Sequence, residues 1–109
     1  MSVIDEIAAE RRRQIEAEGW TPEHDDTHGD GSLAAAAAAY AEHAADWARA
    51  ADFRTYPRAL APRIWPWSTK WWKPKDRRRD LIRAAALIVA EVERLDRATP
   101  RTGTEERGG

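Results

Sequence analysis

The stretch that most constrains this chain runs from Asp76 to Arg97, Asp-Arg-Arg-Arg-Asp-Leu-Ile-Arg-Ala-Ala-Ala-Leu-Ile-Val-Ala-Glu-Val-Glu-Arg-Leu-Asp-Arg. Leu81, Ala85, Ile88, Val92 and Leu95 recur at alternating spacings of four and three, with Ile82, Ala86 and Val89 beside them. That period belongs to a helix, and more than a third of its circumference is apolar. Such a helix is expected to be covered by other elements, with its basic start left at the surface.

Two further helices are predicted to do the covering. The first spans Val3 to Glu18, capped by Ser2, with Asp5 and Glu6 at the positive end of its dipole. Ile4, Ile7, Ala8 and Ile15 form its expected apolar face, interrupted by Arg11 and Gln14. Arg11 either lies at the edge with its head in water or joins Gln14 in a buried network with an acid on another helix. Gly19 suits the left-handed turn that ends a helix. Thr21-Pro22-Glu23 reads as a new, short helix start, with threonine as cap and proline at the first helical position. A loop follows through Gly29 and Gly31. The second long helix is predicted from Ser32 to Asp52, with Leu33, Ala37, Tyr40, Ala44, Trp47 and Ala51 on one face. Its alanine content allows close backbone approach, at the centre of a bundle or at a subunit contact.

Between Phe53 and Lys75 the periodicity is lost, and Pro57, Pro62, Pro66 and Pro74 exclude a continuous helix. Trp65, Trp67, Trp71 and Trp72 would anchor this crossover, either as a plug for the bundle or as a platform for a planar ligand or a partner protein. Thr99-Pro100 stops the last helix, and residues 101–109 are predicted to be a disordered polar tail. The expected fold is all-α: a small three-helix bundle in one domain over residues 1–98, with an extra short helical turn and a Trp/Pro-rich crossover loop.

Composition narrows the function classes. A net charge of -1 with 34% charged residues gives no global bias toward nucleic acid or anionic membrane. There is no cysteine, so no disulfide and no thiolate metal site. The six-alanine run from Ala34 falls far short of the about 20 apolar residues that cross a bilayer, and the acidic N-terminus does not resemble a secretory signal. Locally the balance is uneven. Residues 14–48 hold eight acids and no lysine or arginine, and residues 49–83 hold eleven bases against three acids. The two halves either neutralise each other or mark separate sites.

Two constellations could carry chemistry. Glu23-His24-Asp25-Asp26-Thr27-His28 offers His24, Asp25, Asp26 and His28 as ligands to a divalent metal, the one cofactor this set would hold. The alternative is capping and turn chemistry, with His24 packed on the third long helix. The second constellation joins Trp65, Trp67, Trp71 and Trp72 to Lys73, Arg77, Arg78 and Arg79, with Lys70, Lys75 and Arg83 nearby. Arginine supplies forked phosphate geometry and indole a stacking face, which suits a nucleotide or single-stranded nucleic acid. Here too the bases could instead be spent on the acidic stretch.

The chain also resembles a family of small proteins encoded by tailed phages and prophages. The resemblance rests on Glu10-Arg11, Arg13-Gln14, Glu18-Gly19-Trp20-Thr21-Pro22 and His24-Asp25-Asp26. It continues through Leu33-Ala34, Tyr40-Ala41, Trp65-Pro66-Trp67, Trp71-Trp72-Lys73-Pro74, Arg78-Arg79-Asp80-Leu81, Ala86-Leu87-Ile88, Ala90-Glu91 and Glu93-Arg94-Leu95-Asp96-Arg97. Ser32 stands where relatives often carry a glutamate, which weakens a metal ligand at that position. What the resemblance implies is a cytoplasmic, phage-borne accessory protein. The leading expectation is a non-enzymatic binder of a host protein or of a nucleotide signal, of the anti-defence type, forming a homo-oligomer partly on its alanine face. The enzyme alternative is a metal-dependent nucleotide (pyro)phosphohydrolase resembling the all-α MazG type, although neither of that type's acidic blocks is present. A nucleic-acid-binding module is the third reading.

Overall fold

The computed structural model describes residues 2–46, 56–57 and 59–98. Helix α1 is Val3–Glu18, α2 is Pro22–Asp25, α3 is Ser32–Asp46 and α4 is Arg77–Ala98, with a 3-10 turn at Thr69–Trp71. No strand occurs among the described residues, and the three long helices pack into a small all-α bundle. No helix among them is long and apolar enough to cross a membrane. The expected continuation of α3 through Trp47 and Ala51 and the polar tail lie outside the described residues.

Local chemistry sets the boundaries. The Asp5 amide donates to Ser2 Oγ at 3.1 Å and the Ser2 amide returns to the Asp5 carboxylate at 3.2 Å, a reciprocal cap on α1. Gly19 ends that helix at φ 73°, and the Trp20 amide closes back on the Gln14 carbonyl at 2.9 Å. Thr21 Oγ1 accepts from the His24 amide and Pro22 occupies the first position of α2. Asp30 accepts from the Ser32 amide at the start of α3.

Helix α4 is the hub, packed most extensively on α3, then on α1, and touched by α2. Its buried face corrects the sequence expectation. Ile82, Ala84, Ala86, Leu87 and Ala90 are inside, together with Asp80 and Arg94. Leu81, Ile88, Val92 and Leu95 remain 46–53% exposed. The reason lies in α3. Its Leu33, Ala36, Ala37, Ala39, Tyr40 and Ala44 are buried, and the small side chains of both helices let the backbones close on each other. The alanine face is therefore used within the chain. Burying the small stripe of α4 leaves its bulky stripe facing outward.

Helix α1 departs from expectation in the same sense. Ile4 is 72% exposed, whereas Glu10, Arg11 and Gln14 are buried. Arg11 donates to Asp25 at 2.6 Å and to the Trp20 carbonyl at 3.1 Å, which is the buried-network alternative, although Gln14 bonds Glu10 of its own helix. The crossover folds back as an aromatic plug. Trp72 stacks on Tyr40 at 4.8 Å, Trp65 meets both edge-on, and their indole N–H groups donate to the Ala59 and Ser68 carbonyls. Buried Tyr56 donates its hydroxyl to Asp80 at 2.6 Å, which ties the crossover to the start of α4.

Candidate functional site

Beside this plug lies a cavity of about 770 Å³, within the usual range of small-ligand sites. Helix α1 supplies one wall through Glu10, Arg13 and Gln14, and Tyr40 and Leu87 line it from α3 and α4. The crossover supplies Trp65, Trp67, Trp71 and Lys73, and α4 adds Arg83. Trp20, His24 and His28 complete the rim.

The rim is a closed circuit of rings. Trp20 stacks on His24 at 6.4 Å, His24 meets His28 at 4.9 Å, His28 meets Trp67 at 5.4 Å, and Trp67 returns to Trp20 edge-on at 5.3 Å. Such a circuit offers apolar faces to a flat guest and holds its own rings in place. His24 thus packs on Trp20 and His28, and its side chain stays 44% exposed.

Charge around the cavity is unevenly committed. The Glu10 carboxylate receives a fork from Arg13 at 2.9 and 2.8 Å, a bond from Gln14 at 3.2 Å and a contact from Arg79. Burial alone would raise this carboxyl, but Arg13, with Arg79 and Gln14, holds it below the ordinary carboxylate range. Arg13 also bonds Glu18 at 2.9 Å. The acids and Arg13 therefore largely neutralise one another. Among the described residues, Lys73 and Arg83 face the cavity without a hydrogen-bonded carboxylate partner. Lys73 Nζ sits 5.8 Å from the Trp71 ring. Arg83 lies 5.7 Å from the Tyr40 ring and donates to the Lys73 carbonyl, with Asp80 at 3.6 Å.

Two buried polar atoms of lining residues, Gln14 Oε1 and Arg83 Nε, have no hydrogen-bond partner among the described residues. One is an acceptor on a residue 2% exposed and the other a donor in a charged group. An unpaired buried polar atom costs free energy, and both of these lie just beneath the cavity wall.

The residues expected from sequence divide. Trp65, Trp67, Trp71 and Lys73 line the cavity. Trp72 is buried in the core, stacked on Tyr40. Arg77, Arg78 and Arg79 turn elsewhere: Arg77 donates to the Ala44 carbonyl at 3.0 Å, Arg78 to Glu6 at 2.7 Å, and Arg79 to Glu10. The partners of Arg78 and Arg79 are acids of α1, outside the acidic stretch at residues 14–48. The set His24, Asp25, Asp26 and His28 is not assembled as a metal site. Among the described residues no group of three or more His, Cys, Asp or Glu side chains is placed to hold an ion. Asp25 faces inward to Arg11, Asp26 pairs with Arg97 at 2.8 Å, and both histidines are packed in the ring circuit. Burial pushes the Asp25 carboxyl up, against the pull of Arg11. Trp20, Tyr40 and Gln14 are site residues that spacing alone did not single out, because contacts between distant segments bring them together, whereas Arg83 belonged to the expected basic set. Comparison with protein families, with curated proteins and with solved structures finds no match.

Proposed function

We propose that this chain is a binder of a small planar anion of the nucleotide class, held in the aromatic cavity. The observation that carries the reading is that Gln14, Lys73 and Arg83 line one space together with Trp20, Trp65, Trp67 and Trp71. In the proposed complex the base lies against the indole and imidazole faces of the rim, with Gln14 in the wall beside it. The phosphate lies at Lys73 and Arg83, where two positive charges meet beside the rings. Glu10 and Glu18, the acids on the lining, are bonded to arginines, so neither is poised as a general base. In the phage setting that the sequence resemblance implies, the role is to withdraw a nucleotide signal from a host pathway. A nucleic-acid module is less well supported, because Arg77, Arg78 and Arg79 are each bonded to a group of the chain itself.

Titration of tryptophan fluorescence, backed by calorimetry, tests this with a panel of nucleoside monophosphates, cyclic mono- and dinucleotides, free nucleosides and inorganic phosphate. At least one nucleotide is expected to saturate at one per chain, to bind at least about tenfold more tightly than its nucleoside, and to be recovered intact. A panel with no saturable member, or recovery of a cleaved product, would remove the proposal.

A further inference from the structure

The outward stripe of α4 is the largest unexplained feature of the molecule. Leu81, Ile88, Val92 and Leu95 are each about half exposed, Val89 is 37% exposed, and Ala85 lies within the same stripe. Positions 81, 85, 88, 92 and 95 keep a strict alternation of four and three, which is the seven-residue period of a seam that packs on another helix. Residues 99–109, the chain beyond α4, contain no aliphatic side chain larger than proline and no aromatic one, so this segment has nothing to offer the stripe.

We infer that this stripe pairs with the same stripe of a second copy of the chain, with the two α4 helices antiparallel. A period of seven selects a helix as the occupant, and charge selects the direction. In seam terms Arg78 falls in the same row as Ala85 and Val92, while Glu91 and Asp96 flank the stripe on opposite sides. A parallel pair would set Arg78, itself bonded to Glu6, against its own copy and Glu91, itself bonded to Arg94, against the partner's Asp96, which places like charges together at both ends. An antiparallel pair brings the Arg78 end of one helix to the Asp96 end of the other and stacks Leu81 on the partner's Val92. It is self-complementary about a twofold axis between Ala85 and Ile88. At 22 residues α4 is long enough for this seam. A single helix pair buries on the order of 1,200 Å², the low end of specific interfaces, so the dimer should dissociate on dilution.

Sedimentation equilibrium from about 1 µM to about 1 mM should show a reversible monomer–dimer equilibrium. Ile88→Asp should weaken it at least about tenfold while the far-UV circular dichroism is kept. The gentler Val92→Gln should act in the same direction. The chain has no cysteine, so orientation can be read by cross-linking. Leu81→Cys mixed with Val92→Cys should form a disulfide across the seam. Leu81→Cys alone should not, because its own copy would lie roughly 16 Å away along the antiparallel pair, beyond disulfide reach. A monomer throughout the range, a dimer indifferent to both seam substitutions, or self-cross-linking of Leu81→Cys would overturn the inference.

Discussion

Arg11 of α1 donates from Nη2 to Oδ2 of Asp25 on α2 at 2.6 Å, with the Asp25 side chain fully buried and that of Arg11 8% exposed. The pair clamps the short helix onto the bundle and so positions His24 and His28 on the cavity rim. A buried pair of this kind is weak evidence of net stability, since desolvation offsets much of its attraction, but losing one partner strands the other. Asp25→Ala is expected to cost about 3 kcal/mol, the low end for a broken buried pair because Arg11 keeps the Trp20 carbonyl. The double variant Arg11→Met with Asp25→Ala should recover at least about 1 kcal/mol of the summed losses of Arg11→Met and Asp25→Ala. Denaturant midpoints at constant slope measure both, and strict additivity would show that the two side chains do not interact.

Two buried carboxyls should give opposite pH slopes. Glu10 is held below its ordinary range, so its contribution is complete above the unfolded value of about 4.3 and is lost as pH falls toward the folded one. Asp80 is pushed up by burial, only partly offset by the Tyr56 hydroxyl and the Lys75 amide. Its folded form binds a proton more readily than its unfolded form. The contribution of Asp80 therefore falls as pH rises from about 3.9 toward the raised folded value. Unfolding midpoints across acid pH should show the stability gap between wild type and Glu10→Gln closing as pH falls. The pH-dependent part of the gap to Asp80→Asn should move the other way. Parallel slopes for the two variants would contradict this account.

Adjacent residues on α4 separate the covered face from the open one. Leu87 is 1% exposed and Ile88 is 53% exposed. Leu87→Ala is expected to cost about 2–5 kcal/mol through the lost burial and the cavity left behind. Ile88→Ala should cost less than about 1 kcal/mol when chain concentration is low enough to keep the monomer. Thermal or denaturant unfolding of both variants checks the contrast, and equal losses would mean the two faces are buried alike.

The same contrast shows what the sequence could and could not disclose. Helix ends were legible because Ser2, Gly19, Thr21 and Pro22 act on their immediate neighbours, and the structure places α1 at the expected bounds and starts α2 at Pro22 as expected. The facing of α4 was not. Periodicity reports that a stripe is apolar, but which stripe is covered depends on the shape of α3, whose alanines fit the small residues of α4. The site was legible in part for a related reason. Trp65, Trp67, Trp71 and Lys73 share one segment and arrive together at the cavity. Arg78 and Arg79 follow closely in sequence yet reach Glu6 and Glu10, contacts that span about seventy residues and leave no trace in local spacing.

The cavity itself makes a prediction in which two substitutions fail in different ways. Arg83 is only 19% exposed along its side chain, and Nε has no partner. Arg83→Met keeps the packed stem and removes the charge. If the phosphate sits here, nucleotide affinity should fall about 10–100-fold, the loss of one or two charge-assisted hydrogen bonds. Affinity for the matching nucleoside should be unchanged. Arg83→Lys should fall between, since a point charge remains but the fork is lost. Gln14→Leu acts at the other end, removing the acceptor from a residue of similar size. It should weaken nucleotide and nucleoside alike, by about tenfold. Calorimetric titration of both ligands against all three variants separates the roles. Equal losses for nucleoside and nucleotide in Arg83→Met would place the anion elsewhere, because a phosphate contact cannot weaken a ligand that lacks the phosphate.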